Sequence, residues 1–144
     1  MQEIRGNLWA VEADLRLITT NGEITKSGKV VMGRGCAKEA RDGVPGIDIR
    51  LAGLVAKHGN RVMRCARVNG ADLATFPVKH KWRESADLDL IRQSAVQLVT
   101  LTDRFGYQNV VLPRPGCGNG RRKWADVAPI LKEVLDDRFS VVTH

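Results

Sequence analysis

Hydrophobic positions are spaced most regularly in the second half of the chain. Leu88, Ile91, Ala95, Leu98, Leu101 and Phe105 recur near helical spacing, and Gly106 follows where a left-handed C-terminal cap is favoured. The apolar run Val110-Val111-Leu112 before Pro113 predicts a short buried strand. Val127, Ile130, Leu131, Val134 and Leu135 form a second helical stripe, and Phe139 to Thr143 is a closing β-rich run. Helix, strand, helix, strand with short joints predicts βα units and a mostly parallel sheet.

In the first half, Leu15 to Thr20 reads as a strand and Cys36 to Arg41 as a short helix behind a glycine-rich turn. Pro45 opens a helix bearing Ile47, Leu51, Leu54 and Val55, which Gly59 ends. Arg61 to Val68 and Ala71 to Val78 are two strands joined by Asn69-Gly70, a strong hairpin signal. The expected fold class is therefore α/β, with a mixed but mostly parallel sheet. No repeat or linker divides the chain, so residues 1–144 are expected to form a single domain.

Composition narrows the class. Hydrophobic residues make up 43% and charged residues 27%, as in globular domains. No apolar run approaches the ~18 residues of a membrane span, so no membrane partner is expected. The opening Met-Gln-Glu-Ile-Arg-Gly-Asn has no signal-peptide pattern, so the expected location is cytoplasmic. Cys36, Cys65 and Cys117 are odd in number and far apart, which argues against a disulfide framework. His58, His80 and His144 lack metal-ligand spacing, so neither a metal nor a cofactor is expected. The net charge of +7 is consistent with solubility alone, or with a polyanionic partner.

Two glycine-rich segments carry the candidate chemistry. Val30-Val31-Met32-Gly33-Arg34-Gly35-Cys36-Ala37 is read as leaving a strand and entering a helix. Its glycines permit close backbone approach, and the helix start presents unpaired N–H groups and a positive dipole end to an anion. On its own that loop is equally a tight turn with no ligand. Pro113-Arg114-Pro115-Gly116-Cys117-Gly118-Asn119-Gly120 also leaves a strand and leads to a helix at Trp124, and its alternating glycines suit an anion nest. Two such loops facing across one crevice at a sheet edge would suit a diphosphate. Neither is a P-loop or a dinucleotide fingerprint, which disfavours kinases and dehydrogenases.

Asn21, the Val-Met-Gly-Arg-Gly-Cys-Ala run, Phe76-Pro77-Val78-Lys79-His80-Lys81-Trp82, and Pro115-Gly116-Cys117-Gly118 ahead of Trp124 together resemble a macro domain over nearly the whole chain. Within that superfamily they most resemble the branch of DNA ADP-ribosyl glycohydrolase antitoxins and related phage-type proteins. The resemblance implies a three-layer α/β/α fold with ADP-ribose at the C-terminal edge of the sheet. It puts the diphosphate between Met32–Ala37 (Met32, Gly33, Arg34, Gly35, Cys36, Ala37) and Pro115–Gly120 (Pro115, Gly116, Cys117, Gly118, Asn119, Gly120). It puts the adenine near Asn7 and Leu8, Asn21 on the distal ribose, and Lys79 at the lysine that the branch uses in catalysis.

The departures are specific. Asn7 stands where macro domains usually carry an acidic residue, Glu23 to Lys29 is an insert fit to be a basic rim or lid, and Gly120 stands where a related lysine-dependent subgroup has aspartate. The implied activity is hydrolysis of ADP-ribose from DNA or another nucleic acid, with a cognate toxin as a conceivable partner. The alternatives are a non-catalytic ADP-ribose reader, an ADP-ribose 1″-phosphate phosphatase, and a plain nucleic-acid-binding domain. Lys79, Lys81, Arg83, Arg114, Arg121, Arg122 and Lys123 are expected at the ligand edge, with Lys26, Lys29 and Arg34 close by. Arg61, Arg64 and Arg67 are expected on a solvated strand face, His80 on the rim, Trp82 stacking or packing, Trp124 in the core, and Cys117 as a space-filler.

Overall fold

The computed structural model describes residues 1–144. Its strands are β1 (Gln2–Arg5), β2 (Leu15–Thr20), β3 (Arg64–Val68), β4 (Ala71–Pro77), β5 (Val110–Pro113) and β6 (Phe139–Thr143). Its helices are α1 (Gly35–Gly43), α2 (Ile47–His58), α3 (Leu88–Phe105) and α4 (Trp124–Val134). All six strands join one sheet in the order β1-β6-β5-β2-β4-β3, parallel except where β3 runs against β4.

Alternation along β2 divides the core. Leu15 and Leu17 point into a layer filled by α3 and α4, with Phe76, Ile91, Leu98, Leu131 and Phe139. Ile18 points the other way, into a layer with Ile47, Leu51 and Leu73 beneath α1 and α2. Period-two alternation on a strand produces these opposite faces, and covering both with helices completes an α/β/α sandwich.

Local signals set the joints. Asp87 caps α3 by accepting from the amides of Asp89 and Leu90, and Gly106 ends it in the left-handed region at φ 69°. Asn69 and Gly70 both take positive φ (51° and 80°), as a tight hairpin between β3 and β4 requires. A register shift between Arg64 and Ala66 lets arginines three apart, Arg64 and Arg67, both face solvent.

One strand is unforeseen and one expectation is corrected. Gln2–Arg5 holds one large apolar residue and carries no strand signal in the sequence, yet it pairs in parallel with β6 from Gln2↔Ser140 to Arg5↔Thr143. The run at Val30 is not a strand entering the first glycine loop. Val30 makes only an isolated antiparallel bridge to Ile24, closing a small hairpin from the Glu23–Lys29 insert. The strand that feeds the loop is β2.

Candidate functional site

β2 and β5 are neighbours, but their ladder registers only Leu15 with Val110 and Arg16 with Val111. Beyond those pairs the chain leaving β2 runs to α1 on one face, while the chain leaving β5 runs to α4 on the other. A crevice opens between them at the carboxyl ends of the strands, the place where open α/β sheets bind ligands. It is a cleft of about 520 Å³, within the ordinary range for ligand pockets.

Most of the residues expected at the site meet there. Asn7, Leu8, Asn21, Lys79, Met32 to Ala37, Gly116, Cys117, Asn119 and Gly120 all line the cleft. Pro115 and Gly118 do not: Pro115 is buried behind the loop, and Gly118 faces a smaller neighbouring cleft. Trp9, Thr19, Val31, Glu39 and Val142 line it without having been singled out. No three His, Cys, Asp or Glu side chains gather into a metal-ligating cluster.

The two glycine loops form opposite walls. A β-carbon on Gly35, whose φ is 60°, would sit 3.7 Å from the Nδ2 of Asn119. The N-cap of α1, Arg34, has extended backbone and no side-chain cap, and the first backbone bond of the helix runs from the Lys38 amide to the Arg34 carbonyl. The amides from Gly33 to Ala37 therefore donate to nothing in the protein, and those of Asn119 and Gly120 are also unpaired. Free amides at a helix start, facing a second loop of free amides, are donors of the kind that anions take.

Cys36 ties that helix start to the sheet. Its sulfur accepts from the Thr19 amide and contacts the Thr19 hydroxyl, both at 3.4 Å. Burial pushes its thiol up. Burial pushes the Cys117 thiol up as well. Both thiols therefore ionise less readily than an ordinary cysteine.

The other end of the cleft holds Asn21 and Lys79. Asn21 Nδ2 donates to the Val31 carbonyl at 3.1 Å, and its Oδ1 accepts from the Glu23 amide at 2.9 Å. Lys79 follows β4, and its Nζ donates to the carbonyls of Trp82 (3.2 Å) and Asn119 (3.1 Å). Burial, then the positive charges of Arg121 and Arg34, hold the Lys79 amine below the usual lysine range. Asn60, missed in the sequence, joins the pair: its Nδ2 donates to the carbonyls of both Asn21 (3.3 Å) and Lys79 (3.0 Å).

A further unforeseen residue supports the opposite end. Arg16 is only 6% exposed and points into the loop before β2. Its Nε donates to the Leu8 carbonyl (3.0 Å) and its Nη2 to the Val11 carbonyl (2.6 Å), fixing the turn that carries Asn7 and Leu8. Asn7 Oδ1 accepts from the Trp9 amide at 2.9 Å, so part of its acceptor capacity closes its own turn.

The basic rim is smaller than expected. Arg122 turns inward, donating from Nε to the Ala86 carbonyl at 2.6 Å. Arg114 lines the cleft as expected, with its guanidinium over Trp124, whose indole donates to Glu3 at 2.8 Å. Lys26 and Lys29 are exposed on the insert hairpin and do not line the cleft. His80 pairs with Asp87 at 3.2 Å on the surface. Arg34, Lys79 and Arg114 line the cleft and Arg121 lines a smaller recess beside it. Lys81, Arg83 and Lys123, like Arg34, Lys79 and Arg121, have no ion-pair partner.

No family model and no curated protein matches the chain. Its fold is similar to that of solved macrodomains. The macrodomain of Mycobacterium tuberculosis DarG aligns with TM-score 0.77 at 19% identity, over 100% of this chain and 99% of that one. The macrodomain of Thermus aquaticus DarG aligns with TM-score 0.80 at 22% identity, over 99% and 97% of the two chains. Thermosipho africanus DarTG, solved in complex with ADP-ribose, aligns with TM-score 0.79 at 18% identity, over 99% of this chain and 42% of that one. The architecture is therefore that of a macrodomain, as the motifs implied.

Proposed function

We propose that the chain binds ADP-ribose in the β2/β5 cleft and hydrolyses it from a modified substrate, with DNA or another nucleic acid as the carrier. The observation that carries the binding half is the meeting of two amide-lined loops, Gly33–Ala37 and Asn119–Gly120, on either side of one crevice. Such a cradle grips a pyrophosphate, and the ADP-ribose bound in the similar DarTG structure supports the choice of ligand. In this reading Asn7 and Leu8 border the adenine, while Asn21 and Lys79 flank the distal ribose.

Lys79 carries the catalytic half. A neutral amine has two hydrogens and one lone pair, and the carbonyls of Trp82 and Asn119 accept the two hydrogens. The lone pair is then free to attack the anomeric carbon. As the carbon–nitrogen bond to Lys79 forms, the bond to the carrier breaks, and the carrier leaves with its electron pair and takes up a proton. Water then releases ADP-ribose and restores the amine. The depressed Lys79 pKa raises the neutral fraction, and the fixed diphosphate positions the ribose.

Because both polar atoms of Asn21 already bond within the protein, a reader that binds without turnover is the second reading. Incubation with ADP-ribosylated DNA and ADP-ribosylated protein, following released ADP-ribose, separates the two. Hydrolysis predicts release by the wild type and a loss of roughly 100-fold or more in Lys79→Ala. Tight binding with no release by either form supports the reader. Release of phosphate from the 1″-phosphate, with modified DNA left intact, would indicate a phosphatase.

A further inference from the structure

Beside the main cleft, across Lys79 and Asn119, lies a second recess of about 280 Å³. It is lined by Arg34, Lys79, Trp82, Gly118, Asn119 and Arg121, with no acidic side chain among them. None of its three basic side chains forms an ion pair, and no carboxylate offsets their grouping in the recess. They lie close enough together that Arg121 and Arg34 disfavour a charge on Lys79. Such a grouping is unfavourable unless an anion joins it.

Two further features frame the recess. Arg121 takes a left-handed backbone at φ 62°, a conformation usually left to glycine, and its Nη2 donates to the Arg83 carbonyl at 3.0 Å. That bond straps the Lys81–Arg83 turn across the recess. The same turn presents Trp82, 44% exposed and among the few large apolar side chains at the surface. The Arg83 guanidinium lies 5.2 Å from the Trp82 ring centroid.

An anion site beside an aromatic platform matches a nucleotide better than a carboxylate chain, because a base stacks on indole while its phosphate meets the cations. We propose that this recess is a subsite for the nucleotide neighbouring the ADP-ribosylated one, its phosphodiester between Arg34 and Arg121 and its base on Trp82. The assignment rests on the ADP-ribose reading only for which nucleotide occupies it. A single strand is required, since a base in a duplex offers no free face.

The test is binding of a fluorescent single-stranded oligothymidylate of about eight nucleotides, a length within the usual span of such sites, followed over a range of salt concentrations. Trp82→Ala is expected to weaken binding about 5- to 150-fold, the range for one lost base stack, while Trp82→Phe retains most of it. Arg121→Gln, which keeps a donor for Arg83, is expected to weaken binding several-fold and to reduce the salt slope by about one. Because Arg121 does not line the main cleft, its variant should bind free ADP-ribose as the wild type does, and saturating ADP-ribose should not expel the oligonucleotide. Equal binding by Trp82→Ala and wild type overturns the subsite. So does expulsion by ADP-ribose, or equally tight, Trp82-independent binding of an oligoglutamate peptide. If the oligonucleotide behaves as expected while ADP-ribose fails to bind, the subsite stands and the reading of the main cleft falls.

Discussion

A β-carbon on Gly22 would stand 2.4 Å from both the Cγ and the Oδ1 of Asn60. The missing side chain of one residue is the space that the other occupies. Asn60 uses that position to hold the carbonyls of Asn21 and Lys79 with one amide group. The two residues expected at the distal ribose are thereby drawn together from chain positions far apart.

Removing this link should loosen both. Asn60→Ala is expected to lower the unfolding free energy by roughly 1–3 kcal/mol, two side-chain hydrogen bonds at ~0.5–1.5 each. Gly22→Ala should cost at least ~1–2 kcal/mol from its positive φ of 70° and also displace Asn60. Both variants should reduce turnover at saturating substrate more than they reduce ADP-ribose affinity. Urea unfolding and steady-state kinetics check this; a Gly22→Ala protein as stable and active as wild type would contradict it.

Gly116 is a sharper case. A β-carbon there would lie 2.7 Å from Ile91 Cδ1 and 2.9 Å from Ala86 Cβ, at φ 77°. Gly116→Ala is expected to destabilise by about 2–4 kcal/mol, combining backbone strain with overpacking against α3. Gly53→Ala is the control. Gly53 sits inside α2 with open space at its β-carbon, and alanine there should stabilise by about 0.5–1 kcal/mol. Thermal or denaturant unfolding of the two variants should move in opposite directions.

The residues that were legible in the sequence had local signals. The stripe from Leu88 to Phe105 needed only helical spacing and Gly106, and Asn69-Gly70 announced its own hairpin. β1 had no such signal: as a largely exposed edge strand it carries Gln, Glu and Arg, and its partner β6 lies at the other end of the chain. Val30 and Met32 misled for the opposite reason. They are 3% and 2% exposed because α1 and α2 pack over them, and burial in a loop looks like a strand in an apolar run. The glycine loops were readable as two walls of one cleft, whereas Asn60 and Arg16 act through backbone carbonyls that no pattern of side chains reveals. Arg122 shows the limit of charge counting, since its guanidinium serves the Ala86 carbonyl inside the fold.

Arg16 should prove a support for the adenine end. Arg16→Met keeps much of the buried stem but orphans the carbonyls of Leu8 and Val11, for an expected loss of roughly 1–3 kcal/mol. ADP-ribose affinity should fall more than affinity for ribose 5-phosphate, because in the proposed binding mode the disturbed turn borders only the base. Paired titrations with the two ligands test this; equal losses would contradict it.

Stability should depend on pH through Tyr107 and Asp72, far from the cleft. The Tyr107 hydroxyl donates to the Asp72 carboxylate, and burial together with that carboxylate pushes the phenol up to about 12. A raised folded value means that the native state holds its proton where the unfolded chain has lost it, so stability should fall as pH rises from about 10 to about 12. The hydrogen bond from Tyr107, with Arg67 and Arg64 nearby, holds the Asp72 carboxyl below the usual carboxylate range. That contribution is present above the unfolded carboxylate value and is lost as pH falls through the lower folded one. Tyr107→Phe should flatten the alkaline limb of a melting-temperature profile, and an unchanged limb would refute the assignment.

Titration calorimetry of the wild-type protein with ADP-ribose at low salt addresses the pyrophosphate cradle most directly, with AMP as the comparison ligand. Saturable one-to-one binding, at least tenfold tighter for ADP-ribose than for AMP and weakened in Gly35→Val, is the predicted result. No saturable heat with ADP-ribose, or equal affinity for the two ligands, would contradict it.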